Sequence, residues 1–326
     1  MLTKDDITGL SVMVPTPAKD TGDQWQTTSS VNLEEAARMT EAYIQDGIGS
    51  IAACGTTGEC GALMWDEKLE FIDTIVQVNN KRVPLFAGAT SLGTKETIRQ
   101  MRGLQAVGAD GAFVGLPLWQ TPTIGSAVRF YQDLSEAVPD FPVMVYSNSM
   151  FFKSEFPTPF WAGIGKKAPT VIITKLTYPF MNLLSDIQVA PQVNFMPGEN
   201  QIQTVYKMLR PGGVKAIWSS GSAGMGPEPL VALADAILKD DEKRVDQITA
   251  DLHSVPPSTP PGEWFMFPRY NAQSNRWAAN AAGYLKAGPT RPPYYLDDLP
   301  DSWKKQSEAH AAGWKELRKK YAKVKA

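Results

Sequence analysis

The sequence predicts an α/β fold, a (β/α)8 TIM barrel with additional C-terminal helices. Short apolar runs alternate with amphipathic helical patterns, eight such runs occur, and the pattern becomes helical after about residue 226. Strands that alternate with helices favour a parallel sheet, and eight repeats favour a closed barrel. A chain of 326 residues is long enough for one such barrel and its core.

Each predicted strand is a short run of apolar residues, typical of a parallel strand buried on both faces. We predict strands at residues 10–14, 50–54, 85–89, 112–116, 143–146, 171–175, 194–196 and 216–219. The stretches between them carry apolar residues at helical spacing. The first helix is predicted at residues 33–44, and two more are predicted to begin at Asp66 and Thr94.

The last hundred residues are predicted to be helices packed on the barrel, because they show no second set of strands. We assign residues 1–228 to the barrel and residues 229–326 to a C-terminal helical extension. Along this extension we predict a proline-rich break at 255–262, a loop at 264–268, a helix at 275–285, a turn region at 286–293 and a surface helix at 302–326.

Composition excludes several classes of protein. The net charge is -2 and the isoelectric point about 5.8, so nothing indicates a surface for nucleic acid or an anionic membrane. No apolar stretch approaches the ~18 residues that span a bilayer, and residues 1–6 lack the features of a signal peptide. Cys54 and Cys60 form neither a disulfide framework nor a metal knuckle. We expect a soluble, reduced, cytoplasmic protein.

Only two histidines occur, and neither has a partner at metal-ligand spacing. His253 lies in a predicted loop and His310 in the charged tail, so zinc chemistry and Ser-His-Asp hydrolysis are disfavoured. We interpret both histidines as incidental. Proton transfer must then come from tyrosine, lysine, a carboxylate, the substrate or water.

Lys175 lies near the end of the predicted sixth strand, in the run Val-Ile-Ile-Thr-Lys-Leu-Thr. Burying an unpaired ammonium is costly and lowers its pKa. A lysine that is neutral part of the time is a nucleophile, able to form a Schiff base with a ketone or an aldehyde. The alternative is a structural lysine that reaches water or pairs with a carboxylate.

Two other features follow predicted strands, at the barrel face where the βα loops converge. Gly55-Thr56-Thr57-Gly58-Glu59 comes after the second strand. Its glycines permit close backbone approach and unusual dihedrals, and it lacks a P-loop ending, which favours a carboxylate over a triphosphate. The alternative is a plain strand-to-helix turn. Tyr146 closes the fifth strand and is either a proton carrier or a buried tyrosine with a satisfied hydroxyl.

These motifs, in this order, resemble the class I pyruvate-dependent aldolase superfamily of dihydrodipicolinate synthase and N-acetylneuraminate lyase, over about residues 9 to 293. A narrower resemblance is to the hydratase-aldolases that act on benzalpyruvates in bacterial breakdown of naphthalene and phenanthrene. The segments that carry it are Trp65-Asp66-Glu67-Lys68, Pro117-Leu118-Trp119, Pro159-Phe160-Trp161, Trp218-Ser219-Ser220-Gly221, Leu285-Lys286-Ala287-Gly288-Pro289 and Arg291-Pro292-Pro293-Tyr294.

The resemblance implies roles for the motif residues. Lys175 matches the Schiff-base lysine and Tyr146 the proton-handling tyrosine, while Thr56 and Thr57 match the pair that holds the pyruvoyl carboxylate. The iminium is the electron sink, so we expect no metal and no organic cofactor. The superfamily resemblance also implies a homotetramer.

One position departs from dihydrodipicolinate synthase, which has consecutive tyrosines where Leu118 and Trp119 stand here. The second tyrosine joins a proton relay across a subunit interface, whereas the indole N–H of Trp119 can only donate. This difference argues against dihydrodipicolinate synthesis. Trp119 is either a substrate-stacking residue or an interface or core aromatic.

Three further positions complete the predicted site. Asn271 matches an asparagine position of the hydratase-aldolases, and the resemblance implies that it orients water or a substrate oxygen. Asn148 and Ser219, or its neighbour Ser220, are weaker candidates at predicted barrel ends. The alternative for each of these weaker candidates is a side chain that satisfies a loop.

The resemblance implies a lyase that hydrates and cleaves trans-2'-carboxybenzalpyruvate to 2-formylbenzoate and pyruvate. The sequence around Ser147-Asn148-Ser149-Met150-Phe151-Phe152 looks closer to the enzymes for that substrate. The alternatives are trans-o-hydroxybenzylidenepyruvate, which gives salicylaldehyde and pyruvate, and the substrate of another class I aldolase or dehydratase. A non-catalytic ligand-binding relative is a further alternative, disfavoured because both Lys175 and Tyr146 are present.

Overall fold

The computed structural model describes residues 1–177 and 181–322. Its eight parallel strands form one sheet in the order β7-β6-β5-β4-β3-β2-β1-β8. The strands are β1 Gly9–Met13, β2 Ser50–Ala53, β3 Leu85–Gly88, β4 Gly111–Val114, β5 Val143–Ser147, β6 Val171–Leu176, β7 Asn194–Pro197 and β8 Ala216–Ser219. A parallel bridge between Gly198 and Trp218 joins the ends of β7 and β8 and nearly closes the sheet into a barrel.

The helices lie between and after the strands. They are α1 Leu33–Gln45, α2 Trp65–Asn79, α3 Thr94–Ala106, α4 Ile124–Ala137, α5 Ser149–Phe152, α6 Thr158–Lys167, α7 Leu183–Val189, α8 Ile202–Leu209, α9 Gly221–Gly224, α10 Glu228–Leu238, α11 Glu242–His253, α12 Phe267–Ala282 and α13 Asp301–Tyr321. Short 3-10 helices occupy Lys4–Asp6, Cys60–Ala62, Trp264–Met266 and Leu296–Asp298. Over the described residues, none of these helices combines the length and the hydropathy that a membrane crossing requires.

The predicted barrel is confirmed, and the eight strands occur where the apolar runs predicted them, with ends that differ by no more than two residues. Strands β1 to β8 are almost entirely buried, including both faces of β2 to β6. Burial on both faces explains why these strands read as continuous apolar runs rather than as an alternating pattern.

The C-terminal helices differ in detail from the prediction. Residues 264–268 are not a loop, since a 3-10 helix leads directly into α12, with Pro268 in the first turn where a missing N–H is tolerated. Helix α12 stops at Ala282 because Gly283 takes the left-handed conformation, with φ of 70°. His253 ends α11 rather than lying in a loop.

The tail helix α13 is also more buried than predicted. Trp303, Ala311, Trp314 and Leu317 point inward, and Ala311, Trp314 and Leu317 belong to the same hydrophobic core as the barrel strands. The helix is therefore half core and half surface, and residues 323–326 of the predicted tail lie outside the described residues. The domain boundary at residue 228 stays a prediction.

A buried ion cluster joins the loop after β2 to the C-terminal part of the chain. The Glu59 carboxylate contacts the guanidinium groups of Arg276, on α12, and Arg291, whose Nη1 lies 2.7 Å from Oε2. Arg291 also donates its backbone N–H to Glu59 Oε1 at 2.8 Å and its Nε–H to Ser30 Oγ at 2.7 Å. The cluster fixes the end of the glycine-threonine loop in position. Glu59 of the motif is thus a structural residue.

Replacing Glu59 should destabilise the protein strongly. Glu59→Gln removes the carboxylate that contacts two buried guanidinium groups, and we expect the free energy of unfolding to fall by about 3–5 kcal/mol. Urea unfolding followed by circular dichroism measures the change.

The matched control is Glu41→Gln, which breaks the exposed pair between Glu41 and Arg82. That loss should stay below about 1 kcal/mol, as for other surface pairs. Equal losses for the two variants would contradict the assignment of Glu59 as the centre of a buried cluster.

Candidate active site

Lys175 lies at the carboxyl end of β6, between its neighbours in the sheet. Its Cα is in register with Tyr146 on β5 and with Met196 on β7. The residue is only 4% exposed, and its Nζ lies 3.6 Å from the ring centroid of Trp218 and 4.5 Å from that of Tyr146. The side chain therefore does not reach out to water, which removes one of the structural alternatives.

The environment of Lys175 makes its amine nucleophilic. Burial lowers the pKa of Lys175 to about 7, and the Glu199 carboxylate partly opposes that change. In the part of the chain that the structure describes, no carboxylate lies within salt-bridge distance of Nζ. A substantial fraction of the amine is therefore neutral near pH 7, as Schiff-base formation requires.

Tyr146 presents its hydroxyl beside the lysine. The Oη atom shares a hydrogen bond of 3.0 Å with Thr56 Oγ1 and accepts one of 3.4 Å from Asn148 Nδ2. Its ring stacks on Phe113 at 4.6 Å between centroids. Burial raises the pKa of Tyr146, so the phenol stays protonated and can both donate and accept.

The glycine-threonine loop after β2 lies across the barrel from β6. Thr56 and Thr57 line the cavity, so the predicted oxyanion-binding hydroxyls face the space beside Lys175. A Cβ on Gly55 would lie 2.9 Å from Phe113 Cε1, and one on Gly58 would lie 2.9 Å from the backbone N of Cys54. Both glycines therefore allow close approach, as predicted.

Neither glycine uses the left-handed conformation that it would permit. The left-handed residues of the loop are Cys54, with φ of 55°, and Glu59, with φ of 53°. Such conformations cost energy in residues other than glycine and persist where surrounding contacts enforce them. The ion cluster around Glu59 supplies such contacts.

These side chains surround a cavity of about 520 Å³ at the carboxyl ends of the strands, a typical size for a small-molecule site. Six of the eight predicted site residues line it: Thr56, Thr57, Tyr146, Asn148, Lys175 and Asn271. Asn271, on α12, has a buried Oδ1 without a hydrogen-bond partner. Asn148 Oδ1 caps α5 by accepting from the backbone N–H groups of Met150 and Phe151.

The other two predicted residues lie elsewhere. Trp119 follows β4, is 87% exposed and does not line the cavity within this chain. Ser219 is buried beneath the cavity, where its Oγ accepts from the backbone N–H of Ala223 at 3.1 Å. Its neighbour Ser220, the paired candidate, lines the cavity instead.

Glu199, which belongs to none of the predicted site motifs, follows β7 and lines the cavity. Its Oε1 accepts a hydrogen bond of 2.6 Å from Ser222 Oγ, whereas its buried Oε2 has no partner. Burial raises the pKa of Glu199, while Ser219, Ser222 and Lys175 oppose the change. Active sites of such barrels lie at the carboxyl ends of the strands, so its position just after β7 is a sequence signal that could have identified it.

Trp218, Asn275 and His310 were also given no role at the site by the sequence. Trp218 covers Lys175 and donates its indole N–H to the Leu176 carbonyl at 2.8 Å. Asn275 on α12 places a buried, unpartnered Nδ2 at the cavity, and His310 lines it from α13. His310 thus lies beside the cavity, where burial lowers its pKa and favours the neutral ring, and its interpretation as incidental stays a prediction.

Among the described residues, no group of three or more His, Cys, Asp or Glu side chains is arranged to hold a metal ion. The cavity lining is instead rich in aromatic side chains. Its aromatic members are Phe113, Tyr146, Phe151, Trp218, Trp264 and Phe267.

Comparison with known proteins agrees with this geometry. Residues 12–151 match the dihydrodipicolinate synthetase family. The whole chain is similar to the trans-O-hydroxybenzylidenepyruvate hydratase-aldolase of Pseudomonas aeruginosa, with 36% identity over 98% of this chain and 96% of the relative. It is 33% identical to the trans-2'-carboxybenzalpyruvate hydratase-aldolase of Nocardioides sp. (strain KP7), with the same two coverages.

Two solved structures show the likeness in three dimensions. PhdJ bound to a substrate intermediate superposes with a TM-score of 0.93 at 35% identity, over 98% of this chain and 99% of that chain. A dihydrodipicolinate synthase from Acinetobacter baumannii, complexed with pyruvate, superposes with a TM-score of 0.80 at 21% identity, over 94% of this chain and 99% of that chain. The second likeness concerns the fold alone.

The lowered pKa of Lys175 predicts the pH dependence of covalent trapping. Below about pH 7 the protonated amine has no free electron pair, so reductive trapping of pyruvate by borohydride should speed up about tenfold between about pH 6 and pH 8 and then level off. Intact-protein mass spectrometry measures the rate at which the adduct forms.

Two variants make the trapping experiment specific. Lys175→Ala should form no adduct, whereas Lys68→Met, which removes another buried lysine, should form it at the normal rate. A rate that keeps rising beyond pH 9 would indicate an ordinary lysine and contradict the assignment.

Proposed function

The chain belongs to the dihydrodipicolinate synthetase family, as one of its hydratase-aldolases, and on this basis we propose that it hydrates and cleaves trans-2'-carboxybenzalpyruvate to 2-formylbenzoate and pyruvate. As a hydratase-aldolase it is a lyase of the class that forms a Schiff base with pyruvate. The observation that carries the proposal is a buried, nucleophilic lysine at the base of a cavity with aromatic walls.

In the proposed mechanism, the neutral Lys175 amine attacks the C2 ketone and water leaves to give an iminium ion. Thr56 and Thr57 hold the adjacent carboxylate, and the Tyr146 hydroxyl carries protons to and from the carbinolamine oxygen. Its hydrogen bond to Thr56 keeps the hydroxyl near both the carboxylate and the imine. The iminium then withdraws electrons along the conjugated chain.

Hydration and cleavage follow from this electron withdrawal. A water oxygen bonds to C4, the C3=C4 electrons shift toward the iminium, and C3 takes up a proton. Asn271, with its unpartnered Oδ1, is suited to orient this water. Loss of the C4 hydroxyl proton then breaks C3–C4, releasing the aldehyde and leaving an enamine on Lys175. Protonation at C3 and hydrolysis release pyruvate.

The aromatic rings of the cavity suit an aromatic substrate. Trp218 lies against Lys175, and Trp264 stacks on Phe267 at 4.6 Å, with an angle of 11° between the rings. Such rings can bury an aromatic substrate with favourable stacking. The lining also carries Ser, Thr, Asn and Gln side chains, so it is the similarity to the named hydratase-aldolases that disfavours a sugar-acid aldolase or dehydratase.

A second candidate substrate is trans-o-hydroxybenzylidenepyruvate, which differs in the ortho substituent. Among the described residues that line the cavity, Lys175 is the only lysine or arginine. A ring carboxylate would therefore depend on neutral donors such as Asn275 Nδ2, which has no partner. This observation favours the hydroxyl, whereas the sequence at residues 147–152 favours the carboxylate.

We also propose that the protein is a homotetramer and that Trp119 lies at a contact between its subunits. Trp119 and its neighbour Leu118 are both exposed, which supports a contact between copies of the chain in the homotetramer implied by the resemblance. We likewise propose a cytoplasmic location, and the alternative role of Trp119 is to stack on the substrate.

The proposed substrate can be tested by comparing two enones. We expect kcat/KM for trans-2'-carboxybenzalpyruvate to exceed that for trans-o-hydroxybenzylidenepyruvate by about fivefold, since one additional hydrogen bond to a neutral donor contributes about 1 kcal/mol. Loss of the enone's ultraviolet absorbance measures both rates, and Lys175→Ala serves as the inactive control.

A reversed preference would support the hydroxyl-bearing substrate. Consumption of neither compound by a protein that still forms the pyruvate adduct would contradict the aromatic hydratase-aldolase assignment.

A further inference from the structure

Glu199 and Tyr146 lie on opposite sides of the reactive lysine. Tyr146 is on β5, in register with Lys175 on β6, and Lys175 is in register with Met196 on β7. Glu199 comes two residues after the end of β7 and faces the same cavity. Lys175 therefore has an ionisable group on each side, the Tyr146 hydroxyl and the Glu199 carboxyl group.

One oxygen of the Glu199 carboxylate is held by a hydrogen bond, and the other is buried without one. Ser222 Oγ donates to Oε1 at 2.6 Å, and Oε2 is buried without a partner. Buried polar atoms without partners are rare in proteins and usually have a reason. An anchored carboxylate on a residue that lines the cavity, with one oxygen that lacks a hydrogen-bond partner, is suited to accept a proton from a molecule bound there.

We propose that Glu199 is a second catalytic residue, which removes a proton from the water that adds to C4 and again from the C4 hydroxyl when C3–C4 breaks. This role rests on the proposed function. In each step the carboxylate takes a proton from oxygen and returns it to C3. The first cycle forms the O–C4 bond and the C3–H bond, and the second breaks C3–C4 and forms the methyl C–H bond of pyruvate. The carboxylate is regenerated each time.

Tyr146 is less suited to this role. Its hydroxyl already contacts Thr56 and Asn148, and burial raises its pKa, so its phenolate is a scarce base. Burial also raises the pKa of Glu199, which brings the carboxyl closer to the operating pH and makes it a better proton carrier. In this proposal Tyr146 transfers protons at C2, and Glu199 transfers them between the oxygen at C4 and C3.

The decisive variant is Glu199→Gln, which keeps the size of the side chain and an oxygen for Ser222. We expect turnover of the preferred benzalpyruvate to fall by about 10²–10⁴-fold. Trapping of pyruvate on Lys175 should be as fast as in the wild type or faster, because Glu199 holds the pKa of the lysine up. A purely structural role would instead reduce trapping and turnover together.

A second variant keeps the proposal testable if Glu199→Gln does not fold. Glu199→Ala leaves space for a small acid, so added formate should restore part of the lost turnover. Asn200→Ala, which changes the adjacent lining residue, is the matched control and should be insensitive to formate.

The outcomes separate this role from the proposed function. If the turnover of Glu199→Gln is within about threefold of the wild-type turnover, the role of Glu199 is overturned and the proposed function is not, since general acid–base catalysis contributes far more. Equal loss of trapping and turnover would also overturn it. A wild-type protein that consumes neither enone would overturn the proposed function and, with it, this role.

Discussion

The removal of the Lys175 amine from water is the constraint on which the rest of the active site depends. The lysine cannot be buried in an apolar strand without losing much of its charge, and the barrel encloses it between the rings of Trp218 and Tyr146. This enclosure requires Gly198, because a Cβ there would lie 2.7 Å from the Trp218 ring. Closure of the barrel at Gly198 and Trp218 and activation of the lysine are thus the same structural event.

A second constraint links the C-terminal helices to the barrel. The cluster of Glu59, Arg276 and Arg291 attaches the glycine-threonine loop to α12, which carries Asn271 and Asn275 into the cavity. The extension therefore completes the site as well as covering the barrel. A buried ion cluster is a costly way to gain stability but an effective way to fix two segments in one arrangement.

The polar groups of the cavity are distributed in a way that suits a multistep reaction. Hydroxyl groups lie on the side of Thr56 and Tyr146, a carboxylate lies beyond β7, and aromatic rings are interspersed with further polar side chains in the rest of the lining. Several buried atoms of lining residues have no hydrogen-bond partner, among them Glu199 Oε2, Asn271 Oδ1 and Asn275 Nδ2. Unpartnered polar atoms cost stability, and hydrogen bonds to a bound substrate or water would offset that cost.

The sequence by itself determined the barrel and the residues at its reactive centre. The apolar runs specify buried strands because the signal is local, and the position of Lys175 and Tyr146 at strand ends follows from the same runs. Local signals also placed Thr56 and Thr57 at the cavity, but they did not mark Cys54 and Glu59 as the left-handed residues of that loop, and they were wrong about residues 264–268.

Only the tertiary structure decided which distant residues complete the site. Asn275 and His310 reach the cavity from α12 and α13, and no local pattern marks a polar residue of a helix as facing a particular cavity. Glu199 follows β7, a position that makes it a candidate but does not show that its carboxylate is buried. Trp119 belongs to a segment that carries the resemblance to the hydratase-aldolases, yet it lies on the surface of the chain. The orientation of such side chains is set by packing between segments that are far apart in sequence, and the burial that tunes their pKa values exists only once those segments are assembled.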